Sequence, residues 1–277
     1  MEVSKDMGIN VELAQIHVKP GNVKDNLEKH LSIMRKSVAD CVVFPELSLT
    51  GYTTRDYFFN VTPSVDSALE KLMTTVDDID KCVVLGIPRE VRKGILRNSA
   101  VVLRKGKKPL FIDKLYLANY DLFDEKRYFQ EGDVKNLRTF KYKGETMGTV
   151  VCEDAWHPEP IELLTRKGAD IVFVISASPF RSSMIDIRDS WRSLIIAHSL
   201  MNSVWIVFIN MVGQGEEEYF WGGSMISSPS GKVVMKMDDM KEETRTFLIN
   251  AEENRRARFS SGAKDHRKEL HKYLYHY

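Results

Sequence analysis

Apolar and polar positions along this chain switch between two periods. Val11–Val18 alternates imperfectly at period two, as a half-buried strand does. From Asn22 to Ala39, Val23, Leu27, Leu31, Met34 and Val38 recur every three or four residues, which predicts an amphipathic helix. Cys41–Phe44 predicts a short buried strand, and a loop then leads to a helix over Ser64–Thr75. Strands are expected at Cys82–Pro88, Ser99–Arg104 and Pro109–Ile112, before a long loop of aromatic and charged residues, Lys114–Asp133. The second half repeats the alternation. Strand Gly148–Cys152, helix Pro158–Lys167, strand Ile171–Ser176, helix Ile185–Met201 and strand Val204–Ile209 follow one another. Phe220–Ser227, Lys232–Met237 and Arg245–Leu248 complete the strands, broken at the Pro229-Ser230-Gly231 turn.

Strands outnumber helices, and many are apolar on both faces, as strands covered by helices are. Two sheets packed face to face with helices outside satisfy this pattern. No linker rich in Pro, Gly or Ser divides the 277 residues, so one domain is expected over 1–258, with a basic, aromatic tail over 259–277. Lys plus Arg is 40 and Asp plus Glu is 39, which leaves no basic excess to attract nucleic acid or an anionic membrane. The N-terminus has no signal-peptide pattern, and no apolar run nears the roughly 20 residues that span a bilayer. A cytoplasmic protein is expected. Cys41 and Cys82 sit inside apolar strand runs and read as core thiols. The histidines outside the tail form no close ligand pair, so no metal is expected.

Cys152 differs from the other two cysteines. It ends the run Met147-Gly148-Thr149-Val150-Val151 and opens directly into the acidic, proline-bounded turn Glu153-Asp154-Ala155-Trp156-His157-Pro158. Two more strand ends carry ionisable residues: Glu46 after Val42-Val43-Phe44-Pro45, and Lys114 after Leu110-Phe111-Ile112-Asp113. One Cys, one Glu and one Lys at strand ends are the parts of a cysteine-based acyl-transfer site. A thiol needs a base to take its proton, and the same group must later protonate a leaving nitrogen; Glu46 suits both tasks. Lys114 and the backbone N–H after Cys152 suit the oxyanion that builds up between, and the lysine also favours the thiolate. Taken singly, each residue has a plain reading as well: a packed thiol, a turn carboxylate, a surface lysine.

Three segments resemble the signature blocks of the nitrilase superfamily of carbon–nitrogen hydrolases. They are Phe44-Pro45-Glu46-Leu47-Ser48-Leu49-Thr50-Gly51-Tyr52, Lys114-Leu115-Tyr116-Leu117-Ala118-Asn119-Tyr120 and Val151-Cys152-Glu153-Asp154-Ala155-Trp156. The resemblance spans Gln15 to about Arg258 and implies an α/β fold, a four-layer αββα sandwich. Asn119–Phe129, Ser176-Ala177-Ser178-Pro179-Phe180 and Trp221-Gly222-Gly223-Ser224 are more similar to one branch, the glutamine-hydrolysing domain of glutamine-dependent NAD synthetases. The resemblance implies Cys152 as nucleophile, Glu46 as general base and acid, Lys114 as oxyanion stabiliser, and Glu125 as a second glutamate orienting Lys114. It further implies that Tyr120, Glu153 and Ser178 line the substrate pocket. Trp156, just after the nucleophile, is expected to wall that pocket, and His157 to lie on its rim. No cofactor is implied, and a homo-oligomer is.

The branch usually carries a basic residue six positions after the serine of Ser178-Pro179-Phe180, where this chain has Met184. Arg181 and Arg188 are nearby candidates for that grip on a substrate carboxylate. No Ser-Gly-Gly-x-Asp-Ser phosphate loop occurs in the 277 residues. The expectation is therefore an enzyme releasing ammonia from a small primary carboxamide, glutamine first, with a separate ammonia-consuming synthetase as possible partner. Aliphatic amides, N-carbamoyl compounds and nitriles are the runner-up substrates. A catalytically silent interaction module is the non-enzyme alternative.

Overall fold

The apolar runs of the first half assemble into one sheet. The structure, a computed structural model, describes residues 8–52, 57–181 and 186–260. β1 (Ile9–Gln15), β2 (Cys41–Val43) and β3 (Cys82–Arg92) run parallel. β4 (Ile95–Arg104) and β5 (Leu110–Asp113) extend the sheet antiparallel beyond β3. α1 (Val23–Lys36) and α2 (Tyr57–Ile79) lie outside it. α1 starts where Asn22 accepts the Asp25 N–H, with Asp25 in its first turn and Arg35 and Lys36 in its last, both favourable to the helix dipole.

The second half makes the second sheet. A short helix, α3 (Glu125–Tyr128), interrupts the long loop. β6 (Phe140–Tyr142) and β7 (Glu145–Val151) form a hairpin, then α4 (Pro158–Arg166), β8 (Ile171–Ser176), α5 (Ile187–Asn202) and β9 (Trp205–Asn210) alternate. β7, β8 and β9 run parallel. β10 (Val212–Gln214) and β11 (Tyr219–Trp221) form a small separate ribbon. β12 (Met225–Ser227) and β13 (Val233–Lys236) continue antiparallel beyond β9. β14 (Glu243–Ile249) returns to the first sheet beside β1, and α6 (Glu252–Ser260) ends the described chain. The sheet orders are β14-β1-β2-β3-β4-β5 and β13-β12-β9-β8-β7-β6.

The period-two pattern explains the layering. Val11, Leu13, Val43, Val84 and Val102 join one buried cluster with Val150, Ile175 and Ile209 of the second sheet. Their alternates Ala14, Val42, Val83 and Val101 join Leu31, Leu72 and Val76 of the outer helices. Each fully buried aliphatic side chain contributes roughly 1.5–3 kcal/mol, so both faces resist a one-residue register slip. The four-layer αββα sandwich expected from sequence is the observed fold. Cys41 and Cys82 are buried and face each other in register between β2 and β3.

Local differences have physical causes. α2 begins at Tyr57 rather than Ser64 and runs through Pro63, because Phe58, Val65, Ala68, Leu72 and Val76 form one buried stripe. β4 begins at Ile95, since Arg97 and Asn98 mask a strand that pairs across the tight turn at Gly94, where φ is +76°. β6, β10 and α6 are too short or too polar to stand out in the pattern, and α6 crosses the expected boundary at 258. Residues 261–277, most of the expected tail, lie outside the described residues. No helix among the described residues is long and apolar enough to cross a membrane.

Candidate active site

Glu46, Lys114 and Cys152 follow β2, β5 and β7, at ends of strands that belong to the two facing sheets. Glu46 enters a tight turn in which Leu47 adopts a left-handed φ of +49° and accepts the Gly51 N–H at 2.8 Å. Its backbone presses on β3: a Cβ at Gly86 would lie 2.2 Å from Leu47 N and 2.6 Å from Glu46 Cα. Glycine is required there by close approach. Buried His30 steadies the turn from α1. Its Nδ1–H donates to Asn26 O at 2.7 Å, so its Nε2 accepts from Ser48 Oγ at 2.9 Å. Burial lowers the His30 pKa to about 4 and keeps the ring neutral.

Lys114 leaves β5 with its N–H on Asn98 O and its carbonyl accepting the Gly132 N–H, both at 2.8 Å. Its Nζ, essentially shut off from solvent, sits 2.7 Å from Glu46 Oε1 and 2.7 Å from Glu125 Oε1. Glu46 also accepts from Asn98 Nδ2 at 2.7 Å and from the Ala177 N–H at 2.8 Å. Glu125 accepts from Tyr52 Oη at 3.0 Å and from the Ala118 N–H at 3.0 Å. Burial works against the ammonium, but Glu125 and then Glu46 outweigh it and hold the Lys114 pKa well above its ordinary value. Burial pushes Glu125 up; Lys114 opposes the rise and Glu46 adds to it. The cluster is buried, ionic and densely hydrogen-bonded, the condition under which such groups are tolerated in a protein interior.

Cys152 opens a 3-10 turn, Cys152–Trp156, with a left-handed φ of +46°. Such a backbone is uncommon for a residue with a side chain and costs of order 1–3 kcal/mol. Asp154 holds it: Oδ1 accepts the N–H groups of Leu115 and Tyr116 at 2.9 Å, and Oδ2 accepts the Val151 N–H at 3.1 Å. One buried carboxylate thus clamps the Lys114 loop to the strand that delivers the thiol. Burial raises the Asp154 pKa to about 7 against the pull of those donors. Ser176 Oγ donates to Cys152 Sγ at 3.2 Å. Burial and the nearby Glu46 charge raise the thiol pKa well above its ordinary value, despite Lys114 and Ser176. Lys114 thus pulls the thiol towards the thiolate, as expected, and burial with the Glu46 charge outweighs it. A base that takes the thiol proton is therefore part of what this site needs for nucleophilic attack.

The expected substrate residues divide. Tyr120 Oη donates to Glu153 Oε2 at 2.6 Å, and Glu153 follows Cys152 directly. Trp156 packs edge-on against Trp191 at 5.5 Å, its indole N–H buried without a hydrogen-bond partner among the described residues. His157 stacks on Tyr116 at 3.7 Å and is over a third exposed, as a rim residue is. Ser178 is buried, and its Oγ accepts the Trp191 Nε1–H at 2.9 Å. Met184 lies outside the described residues. Sequence reading missed Asn98, Tyr52, Ser176 and the clamp of Asp154. Ser176 had a signal, since it too ends an apolar strand, and Asp154 lay in view within the acidic turn. Tyr52 closes the first of the three resembling segments, and Asn98 had no signal.

The arrangement pairs a partly exposed thiol with a carboxylate and an ammonium held in fixed register. Such a set can move a proton from sulfur to carboxylate and stabilise an oxyanion. The sequence model of the carbon–nitrogen hydrolase family matches residues 10–259. The chain belongs to this family. A glutamine-dependent NAD(+) synthetase from Aquifex aeolicus is 28% identical over 255 residues, 90% of this chain and 44% of that protein. The chain thus spans about half the length of the curated relatives it matches. A carbon–nitrogen hydrolase from Helicobacter pylori G27 superposes with a TM-score of 0.89 at 21% identity, covering 96% of this chain and 98% of the other. An amidase of the nitrilase superfamily from Nesterenkonia AN1 superposes at 0.83 with 20% identity, covering 99% and 100%. As a carbon–nitrogen hydrolase, the chain has its ionic cluster at the join of the two sheets that these folds share.

Proposed function

We propose that this carbon–nitrogen hydrolase releases ammonia from a small primary carboxamide, glutamine preferred, through an acyl-thioester on Cys152. The observation that carries the reading is the buried Glu46–Lys114–Glu125 cluster beside the half-buried thiol of Cys152. Sγ attacks the amide carbon as its proton passes to Glu46, and the carbonyl electrons move onto oxygen beside Lys114. Glu46 returns the proton to nitrogen as the C–N bond breaks, and ammonia leaves. Water then adds to the thioester, again yielding a proton to Glu46. The C–S bond breaks, sulfur regains the proton, and the carboxylic acid departs. Glu125 orients Lys114 in this scheme.

Two sources support the reading. The synthetase relatives are named for glutamine dependence. In a mutant of the Nesterenkonia amidase, the acetamide moiety of fluoroacetamide is added covalently at the active-site cysteine. Tyr120, Glu153, Trp156 and Ser178 belong to the pocket in this proposal, a homo-oligomer is the working form, and a separate synthetase consumes the ammonia. The test is ammonia release from L-glutamine beside aliphatic amides, ureido acids and nitriles, with Cys152→Ala as control. A glutamine preference that vanishes in the variant is expected. Preference for another amide would keep the family chemistry and remove glutamine.

A further inference from the structure

Arg181 is held differently from the other arginines near the site. Arg89 and Arg97 pair with Asp113, and Arg188 pairs with Asp186 and Asp239. Arg188 is therefore committed to acids and is no free grip for an anion. Arg181 has no carboxylate partner among the described residues, and its buried Nε has no hydrogen-bond partner. Aromatic faces carry it instead: its guanidinium carbon lies 4.9 Å from the Phe123 ring, 5.3 Å from Tyr120 and 6.0 Å from Trp156. Rings stabilise the cation without occupying the planar N–H edges that fit a carboxylate bidentately. The preceding residue is pinned, since the Phe180 N–H donates to Tyr219 O at 2.9 Å on β11.

The placement adds a second fact. Tyr120 joins both charges: its face lies under Arg181 and its hydroxyl bonds Glu153, the neighbour of Cys152. A positive and a negative group thus flank one ring beside the thiol. A substrate bearing a carboxylate and an ammonium on one carbon would meet both charges while its amide reaches Cys152. We propose that Arg181 binds the substrate's carboxylate, with Glu153 facing its ammonium, so that the acyl group is that of an amino acid with a side-chain carboxamide. This rests on the ammonia-releasing reading above and adds the residue that selects the substrate class.

The test compares kcat/KM for L-glutamine, glutaramate, 4-aminobutanamide and butyramide in the wild type, Arg181→Ala and Arg181→Lys. Glutaramate keeps only the carboxylate, 4-aminobutanamide only the ammonium, and butyramide neither. Arg181→Ala is expected to lower kcat/KM roughly 10- to 100-fold on the two carboxylates, chiefly through KM, and at most about threefold on the other two. Arg181→Lys should recover part of the loss. Turnover of butyramide by each variant reports that it has folded. Equal losses on all four amides, or no selective loss on glutaramate, would overturn the assignment. Wild-type turnover of glutaramate but not glutamine, with the selective loss intact, would remove glutamine and keep Arg181. Wild-type preference for butyramide over both carboxylates would sink the Arg181 assignment and leave the family chemistry standing.

Discussion

Lys114 and Arg181 are both cations of the candidate site, and the fold holds them in opposite ways. Lys114 is about 1% exposed and touches two carboxylates at 2.7 Å. Arg181 is partly exposed and rests on aromatic rings, with no acid paired to it among the described residues. A charge that must stay fixed while bonds rearrange is best neutralised and locked in place. A charge that must meet a ligand is best left uncompensated, on surfaces that do not compete for its hydrogen bonds. A similar division separates Glu46, held by Lys114, Asn98 and the Ala177 N–H, from Glu153, which is held by the Tyr120 hydroxyl and is not paired with Lys114. On the proposed scheme, chemistry and selection are built on different supports and should fail in different ways.

The largest effect expected is at Glu46. Glu46→Gln keeps the shape but has no carboxylate to take the thiol proton, so kcat should fall about 10²- to 10⁴-fold in an ammonia-release assay. Lys114→Met should cost about 3–5 kcal/mol in chemical denaturation, because it strands two buried carboxylates, and activity should fall with it. A gain in stability would show that Lys114 is not their counter-charge. His30 supplies a pH test of the turn that carries Glu46. Its folded pKa, about 4, lies below the unfolded value near 6.5, so the unfolded chain takes up the proton first. Stability from this group is complete above about pH 6.5 and should decline by up to roughly 3 kcal/mol as pH falls towards 4. A His30→Gln variant should show a flatter decline over that window. Gly86→Ala should cost about 1–3 kcal/mol and lower kcat, since the new methyl meets the Glu46 backbone. At the rim, Tyr120→Phe should change stability by less than about 0.5 kcal/mol while raising KM for glutamine more than for butyramide.

These contrasts also account for what the sequence made legible. Three strands that end in Glu46, Lys114 and Cys152 were visible because a buried apolar run followed by an ionisable group is a local pattern. The two-sheet sandwich followed from strands apolar on both faces. Asn98 was invisible because its amide reaches Glu46, 52 positions earlier in the chain, a contact that local periodicity does not encode. The clamp of Asp154 on Leu115 and Tyr116 joins residues almost forty positions apart for the same reason. The upward push on the thiol pKa could not be read either, since burial and the Glu46 charge arise only when the two sheets meet. Gly86 looked like any strand glycine until the turn after β2 was packed against it.

The central claim is a covalent bond between Cys152 and the acyl group of a carboxamide. Acid-quenched enzyme, taken during turnover of the best amide in the panel, can be digested and its Cys152 peptide weighed by mass spectrometry. The account predicts an added acyl mass on that peptide, lost on treatment with hydroxylamine and missing from Cys152→Ala, which also releases no ammonia. Full ammonia release by Cys152→Ala, or an acyl mass on a different residue, would contradict it.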